Sequence, residues 1–501
     1  MAGAGSSELE DASLVREEYV LSAEPETVLW GRLPHRGSRA VLAVPSGSIV
    51  TFDTLSQEGL LEDQGGDPVR FFARFGISAA DVPEEAIALA AAALPHDVNL
   101  DGPHLILGPV RVEGAGPGDV LKVEVLCLEP RSSYGIISQR HGRGVLAGEF
   151  PEVSGPGRDA ACPGQYEALS FCASVGKREG RWYGFMMDGG REIHFPLHPF
   201  LGLMGVTPDT EDSWNSVPPA RIGGNMDIPE LGAGSTLYLP VEVEGAGFYA
   251  GDPHLRQGCG EVALTALEGS LRATLRLTAI PQGSIAVPRL GGKTFAFPFA
   301  ETERHWIPIG LHEDLDEALK MSVRASVAFL SAQLGLDRGR AYAYLSAAVD
   351  YIVSQAVDRT KGIHALVPKA DFLDCVRPEL EIGKEFLPVE TRNGAFFVPA
   401  RRVCAALGLR CSWNKGLFRT ESPAGMILMR ADSRRCDIGR ERVSLDMAPG
   451  EGGEGLMLPA AALRSIFGLC VNWSTEGRRI VGRACLLPPS DRPRPRRPQL
   501  S

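Results

Sequence analysis

Between positions 251 and 261 the chain reads GDPHLRQGCGE. These eleven residues offer two carboxylates, an imidazole and a thiol, interrupted by four glycines or prolines. Asp252 and His254 are two residues apart, so they share a face in a strand and can converge on one ion in a turn. Glu261 lies beyond a Gly-x-Gly bend that can fold it back toward them. A hydrolytic metal centre needs a few nitrogen and oxygen ligands and an open position for water, and histidine with carboxylates suits that need. The same spacing also fits a polar turn without chemistry.

Two further stretches carry candidates. In GGNMDIPEL (223–231) the paired glycines allow positive φ or a close backbone approach. Asn225 and Asp227 alternate and so can point the same way; an Asx-capped turn is the bland alternative. Backbone or side-chain donors at Gly223, Gly224 and Asn225 would suit a developing oxyanion. In TFDTLSQEGLLEDQGGDPVRFF (51–72), Asp53 ends an apolar strand and Glu58, Glu62 and Asp63 add acid; a solvated loop followed by a helix is the bland alternative. His104 and His198 sit beside apolar residues, where a structural role is expected. SQRHGRG places Arg140 and Arg143 around His141 in a Gly-rich loop that either recognises an anionic substrate group or is simply exposed.

The elements that must position these residues follow from the bulk sequence. A chain of 501 residues implies two to four domains, and 44% hydrophobic content is enough for a sizeable core. The 58 glycines and 37 prolines favour turns and short strands over long helices. A net charge of −11 argues against nucleic-acid binding. There is no apolar run long enough for a membrane span and no export signal in the opening residues. The ten cysteines form no CxxC pair, so reduced thiols and a cytoplasmic location are expected.

Short β-like runs dominate to about Phe372, and the expected class is α+β, predominantly β. Helical texture appears in PEEAIALAAAALP, in LDEALKMSVRASVAFLSAQLG and in GRAYAYLSAAVDYIVSQAVD. PVRVEGAGPGD (109–119) echoes PVEVEGAGFYAGD (240–252), which predicts two equivalent strand–turn units. A clearer repeat lies further on. Pro399 and Pro459, Gly408 and Gly468, and Trp413 and Trp473 are each sixty residues apart. The unit reads as strand, Pro-started helix, Gly stop, then a strand whose Trp anchors the core. The repeat resembles the copper amine oxidase N-terminal-like stalk module, over residues 385–485 in two copies. The resemblance brings no copper expectation, and a stalk of this kind is a candidate for binding an unidentified partner. Residues 1–14 are expected to be loose, and the Pro/Arg-rich end at 486–501 disordered.

The three polar stretches together resemble the acetamidase/formamidase family. The likeness extends over residues 15–375 through VTFDTLSQEGLLEDQGGDPVRFFARFGI, FPLHPFLGLMGVTP, the long NSVPPARIGGNMD…QGCGEVALTALE segment and VSQAVDRTKGIHALVPKADF. The resemblance implies hydrolysis of a short-chain amide to ammonia and a carboxylate, a mostly β fold and a homo-oligomer. It implies functional positions at Asp53, Asn225, Asp227, Asp252, His254 and Glu261; amide hydrolysis there would need a base, and Glu261 or another buried carboxylate could serve. A divalent metal, possibly zinc in this family, would fall to Asp252, His254, Asp53 and Cys259. The chain departs from the family pattern at Gln57, where a histidine is usual, at Arg256, and at Cys259, where an aspartate is usual. Cys259 reads as a thiolate ligand, as a nucleophile activated by His254, or as a buried thiol in a repurposed site. These departures keep two other readings open: a binding or scaffold protein that has lost turnover, and a hydrolase for a cyclic amide.

Overall fold

Alternating and β-branched runs closed by Gly, Pro or Asp favour strands, and the computed structural model is accordingly α+β and predominantly β. It describes residues 19–486 except 93, 153–168, 282–287, 289–294, 376–378, 384, 393–394, 415, 423–424, 446, 453–454 and 477–478. The N-terminal segment expected to be loose, and the Pro/Arg-rich tail beyond 486, lie outside these residues. Among the described residues no helix is long and apolar enough to cross a membrane.

The chain divides into two units. The first comprises 1–279, 311–318 and 352–363. One of its sheets places Tyr19–Ser22, Ser48–Asp53, Leu271–Ile280, Val120–Pro130 and Thr236–Pro240 side by side in that order. Another centres on the strand Phe248–Arg256, flanked by Phe200–Val206 and Leu267–Glu268 and also paired with Leu105–Glu113. Every residue of Phe248–Arg256 except Arg256 is buried. That strand lies in the interior of the sheet, where few polar side chains reside without a partner.

The echo at 109–119 and 240–252 does not give two equivalent strands. Leu105–Glu113 is a strand, whereas residues 241–247 form a turn-rich loop. The loop hydrogen-bonds to the first copy instead: Val112 N–H donates to Gly245 O at 2.9 Å, and Gly245 N–H to Ala115 O at 2.7 Å. The two closing aspartates also diverge, Asp119 capping its own turn by accepting from Gly116 N–H.

Glu84–Ala92 and Leu315–Leu334 are helices, as their texture predicts. The third helical stretch is half right. Arg338–Ala348 is a helix capped by Asp337, but DYIVSQ (Asp350–Gln355) is a strand. Its aromatic and β-branched residues prefer the extended backbone, and sheet pairing outweighs the continuing alanine-rich text.

The second unit comprises 280–310, 319–351 and 364–501. Its hairpin of Phe299–Glu301 with His305–His312 packs aromatic rings on the long helix, with Phe299 and Trp306 centred 4.9 and 5.1 Å from Phe329. Beyond Glu379 the expected repeat is present. Ala395–Pro399 leads into the helix Ala400–Ala406, and Gly455–Pro459 precedes the helix Ala462–Phe467. Gly408 and Gly468 both take φ 68°, the left-handed stop that favours glycine. The two leading strands pair antiparallel, Val398 opposite Leu458. Leu380, Val403, Phe418, Leu463 and Ile466 fill the core, and Trp413 packs partly buried against it.

Candidate active site

The site is assembled on the buried strand Phe248–Arg256. Asp252 and His254 fall on one face of it, and the ladder sets Phe200 opposite His254 on one side and Glu268 on the other. The Phe200 ring meets the imidazole edge-on at 5.0 Å, which fixes the ring's plane. Gly202 forms the floor between them. A Cβ there would approach Asp227 Oδ1 to 2.4 Å, Asp252 Oδ2 to 2.5 Å and His254 Cε1 to 2.8 Å. Asp227 arrives by a turn after the short strand Gly223–Asn225, its N–H donating to Gly202 O. Glu261 arrives by the turn that follows Gly260.

Three of these carboxylate residues sit in left-handed backbone: Asp227 at φ 50°, Asp252 at 52° and Glu261 at 48°. Such conformations cost stability in residues with a Cβ and concentrate where function requires a particular side-chain direction. Here all three turn their side chains inward.

His254 is held in one tautomer. Its Nδ1 lies 3.0 Å from Gln257 Oε1, and Gln257 Nε2 donates to the carbonyls of Asp227 and Ser354 at 3.1 and 3.0 Å. With its amide nitrogen committed to two carbonyls, Gln257 presents only an acceptor to the ring, so Nδ1 carries a proton. Nε2 therefore faces the carboxylates, 2.9 Å from Asp252 Oδ2 and 3.2 Å from Glu268 Oε1. Neither oxygen is aligned for a directed hydrogen bond, and Nε2 is buried without a hydrogen-bond partner. Both oxygens of Asp227 are likewise buried without one.

The surrounding charge is unbalanced. Burial raises the pKa of Asp227 and Glu261 well above the usual carboxylate value, and mutual repulsion with Asp358, Asp252 and Glu268 adds to it. Burial likewise raises Glu268 and Asp358. Asp252 is the exception: burial opposes its charge, but His254 and His104 hold it low. For His254, burial is outweighed by Asp252 and Glu268, which lift its pKa well above the ordinary imidazole value.

Three overlapping triads present ligand atoms within 4.8 Å of one another: Asp227, Asp252 and His254; His254, Glu261 and Glu268; and Asp227, Glu261 and Asp358. An imidazole nitrogen and carboxylate oxygens facing one another without aligned hydrogen bonds are a donor set that a divalent cation fits. Gln57 lies in the same cluster. Its Nε2 donates weakly to Asp252 Oδ1 and Glu268 Oε2 at 3.4 and 3.3 Å, while its Oε1 is buried without a partner.

Asp252, His254, Asp227, Glu261 and Asn225 are thus brought together, and Asn225 Oδ1 is buried without a hydrogen-bond partner. Asp53 stands apart. It lies directly across the ladder from Arg272, which grips both its oxygens at 2.7 Å. Its bidentate geometry commits it to that pair. Cys259 also stands apart, outside the residues that line the cavity; although the residue is exposed overall, desolvation of its thiol together with Glu230 raises its pKa, which disfavours a thiolate ligand or nucleophile. Gly223 N–H is already donated to Ala220 O, which removes it as an oxyanion donor. His104 lines the cavity with Nδ1 2.8 Å from Ser216 Oγ, and His198 is exposed. The loop after Asp53, expected to be solvated, instead buries Leu55, Gln57 and Glu58.

Sequence reasoning missed Glu268, Asp358 and Gln257. Glu268 and Asp358 lie inside segments that resemble the family, and Gln257 lies in the opening loop itself. No spacing rule ties Asp358 to a histidine about a hundred residues earlier; only the fold does.

The site is thus a buried histidine–carboxylate cluster beside a cavity in a mostly β scaffold. The comparisons specify it further. The Acetamidase/Formamidase family matches residues 74–216 and 210–373, more than half of the chain, and the chain belongs to that family. Residues 381–481 match the copper amine oxidase N-terminal domain. Among relatives, an acetamidase from Mycolicibacterium smegmatis is 29% identical over 211 residues, covering 33% of this chain and 50% of the relative. A formamidase from Methylophilus methylotrophus is 29% identical over 202 residues, covering 33% and 49%. The chain thus spans about half the length of the relatives it matches. In fold it is similar to a predicted acetamidase/formamidase from Thermoanaerobacter tengcongensis, with TM-score 0.53 at 23% identity over 71% of this chain and 97% of that one. An acetamidase from Bacillus halodurans gives TM-score 0.53 at 23% identity over 71% and 99%.

Proposed function

We propose that this chain hydrolyses the C–N bond of an amide, releasing ammonia and a carboxylate, at the cluster around His254. One observation carries the reading: a buried imidazole nitrogen, fixed by Gln257 to face Asp252 and Glu268, with no aligned hydrogen bond to either. The names of the relatives support the same chemistry.

Asp252, His254, Glu268 and Asp227 are the residues that would hold a divalent cation, zinc being compatible with this donor set. When bound, such a cation supplies Lewis-acid polarisation of the amide carbonyl. The remaining work falls to the chain. Glu261, which lines the cavity beside the cluster, takes a proton from the attacking water and returns it to the departing nitrogen. Asn225 lines the cavity and offers its side-chain amide to the substrate oxygen. Gln257 keeps the imidazole in its working tautomer.

The test is ammonia release from formamide, acetamide and propionamide on protein of measured metal content, before and after chelation. Release that chelation abolishes and zinc restores is the expected result. Glu261→Gln should lower kcat by roughly 100-fold or more while the metal content is retained. Metal bound stoichiometrically, with no ammonia from any amide, would overturn the hydrolase reading in favour of a binding protein.

A further inference from the structure

The cavity above the cluster encloses about 630 Å³, within the range of pockets that take ligands far larger than a two-carbon amide. Its base is acidic, and its lining also includes Arg140, Arg143 and Arg359. Arg140 is neutralised: its Nε lies 2.5 Å from Asp63 and its NH2 3.6 Å from Glu58. Lys361 is committed to the carbonyl of Glu313. Arg143 and Arg359 are exposed, and among the described residues neither makes an ion pair.

Both arginines are mounted on backbone tied to the segment that carries Glu261. Arg143 N–H closes a turn on Arg140 O at 3.0 Å, and Val145 N–H donates to Val262 O at 2.9 Å. Gly144 lets that turn lie close, since a Cβ there would sit 3.2 Å from Val262 O. On the other side Gly260 N–H donates to Ser354 O, and Ala356 N–H returns the bond to Gly260 O. The buried Gln355 then shapes the following loop, accepting from the N–H groups of Val357 and Asp358 and donating to Thr360 O. The loop turns Asp358 inward and leaves Arg359 outward, in left-handed backbone at φ 65°. Arg143 and Arg359 thereby line the same cavity as Glu261.

A neutral amide has no use for two unpaired guanidiniums at the rim of its cavity. Such forks match a carboxylate. We propose, resting on the amidase reading, that the amide taken by this site carries a carboxylate remote from the scissile bond, as in monoamides of dicarboxylic acids. Arg143 and Arg359 hold that carboxylate while the amide reaches down toward Glu261. The two arginines set specificity and take no part in the bond cleavage.

Two measurements on the full chain test this separately from the amidase reading. Ammonia release compares succinamate with butyramide, and calorimetry compares binding of succinate with butyrate. The expected result is a kcat/KM for succinamate about tenfold or more above that for butyramide, carried mainly by KM. Succinate should bind about tenfold more tightly than butyrate. In the Arg143→Gln, Arg359→Gln double variant both ratios should fall toward one. Equal values for the two amides and the two acids, or ratios that survive in the variant, would overturn the proposal. If neither amide is cleaved, the amidase reading fails by itself. The succinate ratio and its loss in the variant then still decide whether the arginines form an anion site.

Discussion

The strand carrying His254 and the C-terminal repeat solve the same problem, a sharp turn beside a buried core, in opposite ways. In the repeat the left-handed positions fall on glycines such as Gly408, Gly416, Gly439 and Gly468, with Asp432 as an exception, and the core behind them is apolar. At the site they fall on Asp227, Asp252 and Glu261, and the core contains polar atoms without partners. Strain and unmet hydrogen-bonding capacity both cost stability. Apart from Asp432 the repeat avoids these costs, and its core residues are explained by packing. The site accumulates both, as the proposed binding of a cation and a reacting group would require.

The sharpest way to break this contrast is to substitute one glycine from each region. Gly202→Ala drives a methyl group into Asp227, Asp252 and His254. Displacing those groups by about 1 Å should cut ammonia release by roughly 100-fold, and overpacking should cost about 1–3 kcal/mol of stability. Gly408→Ala has open space around its Cβ but left-handed backbone, so it should cost about 1 kcal/mol and leave turnover and metal content unchanged. Amide assays and denaturant unfolding of both variants check this. Comparable loss of activity in the two would erase the distinction.

A smaller effect is expected at Asp53, a buried strand aspartate like Asp252 but with its charge satisfied. Asp53→Asn should keep metal content and lose roughly 1 kcal/mol, since Arg272 is about half exposed. The hydrogen bond from Arg272 holds the folded pKa of Asp53 below its ordinary value, against the effect of burial. A depressed folded pKa means the contribution is present above the unfolded pKa and is lost as pH falls through the folded one. The variant should therefore match the parent at strongly acid pH and fall behind it toward neutral, as read from urea midpoints across that range. The smallest effect is expected at Cys259. Cys259→Ser should leave activity and metal content within about twofold. A large loss of bound metal would restore the thiol as a ligand.

Particular residues show where sequence text suffices. Alternation, Gly and Pro stops and the sixty-residue offset made the strands and the C-terminal repeat legible, because local backbone preference and local packing agree there. Asp252, His254 and Glu261 were legible as a cluster because they fall within ten residues of one another in the sequence. The fate of VEVEG at 241–245 and of DYIVSQ at 350–355 was not legible, since strand and helix texts compete and pairing partners decide. The sequence by itself determined a β-rich chain, its repeat and the presence of an acidic, histidine-bearing stretch. Only the tertiary structure decided which carboxylates surround His254. It drew Glu268 across the ladder and Asp358 in from a loop shaped by Gln355, and it gave Asp53 to Arg272. Convergence of side chains distant in sequence is a property of sheet register, and register is set by the packing of the whole sheet.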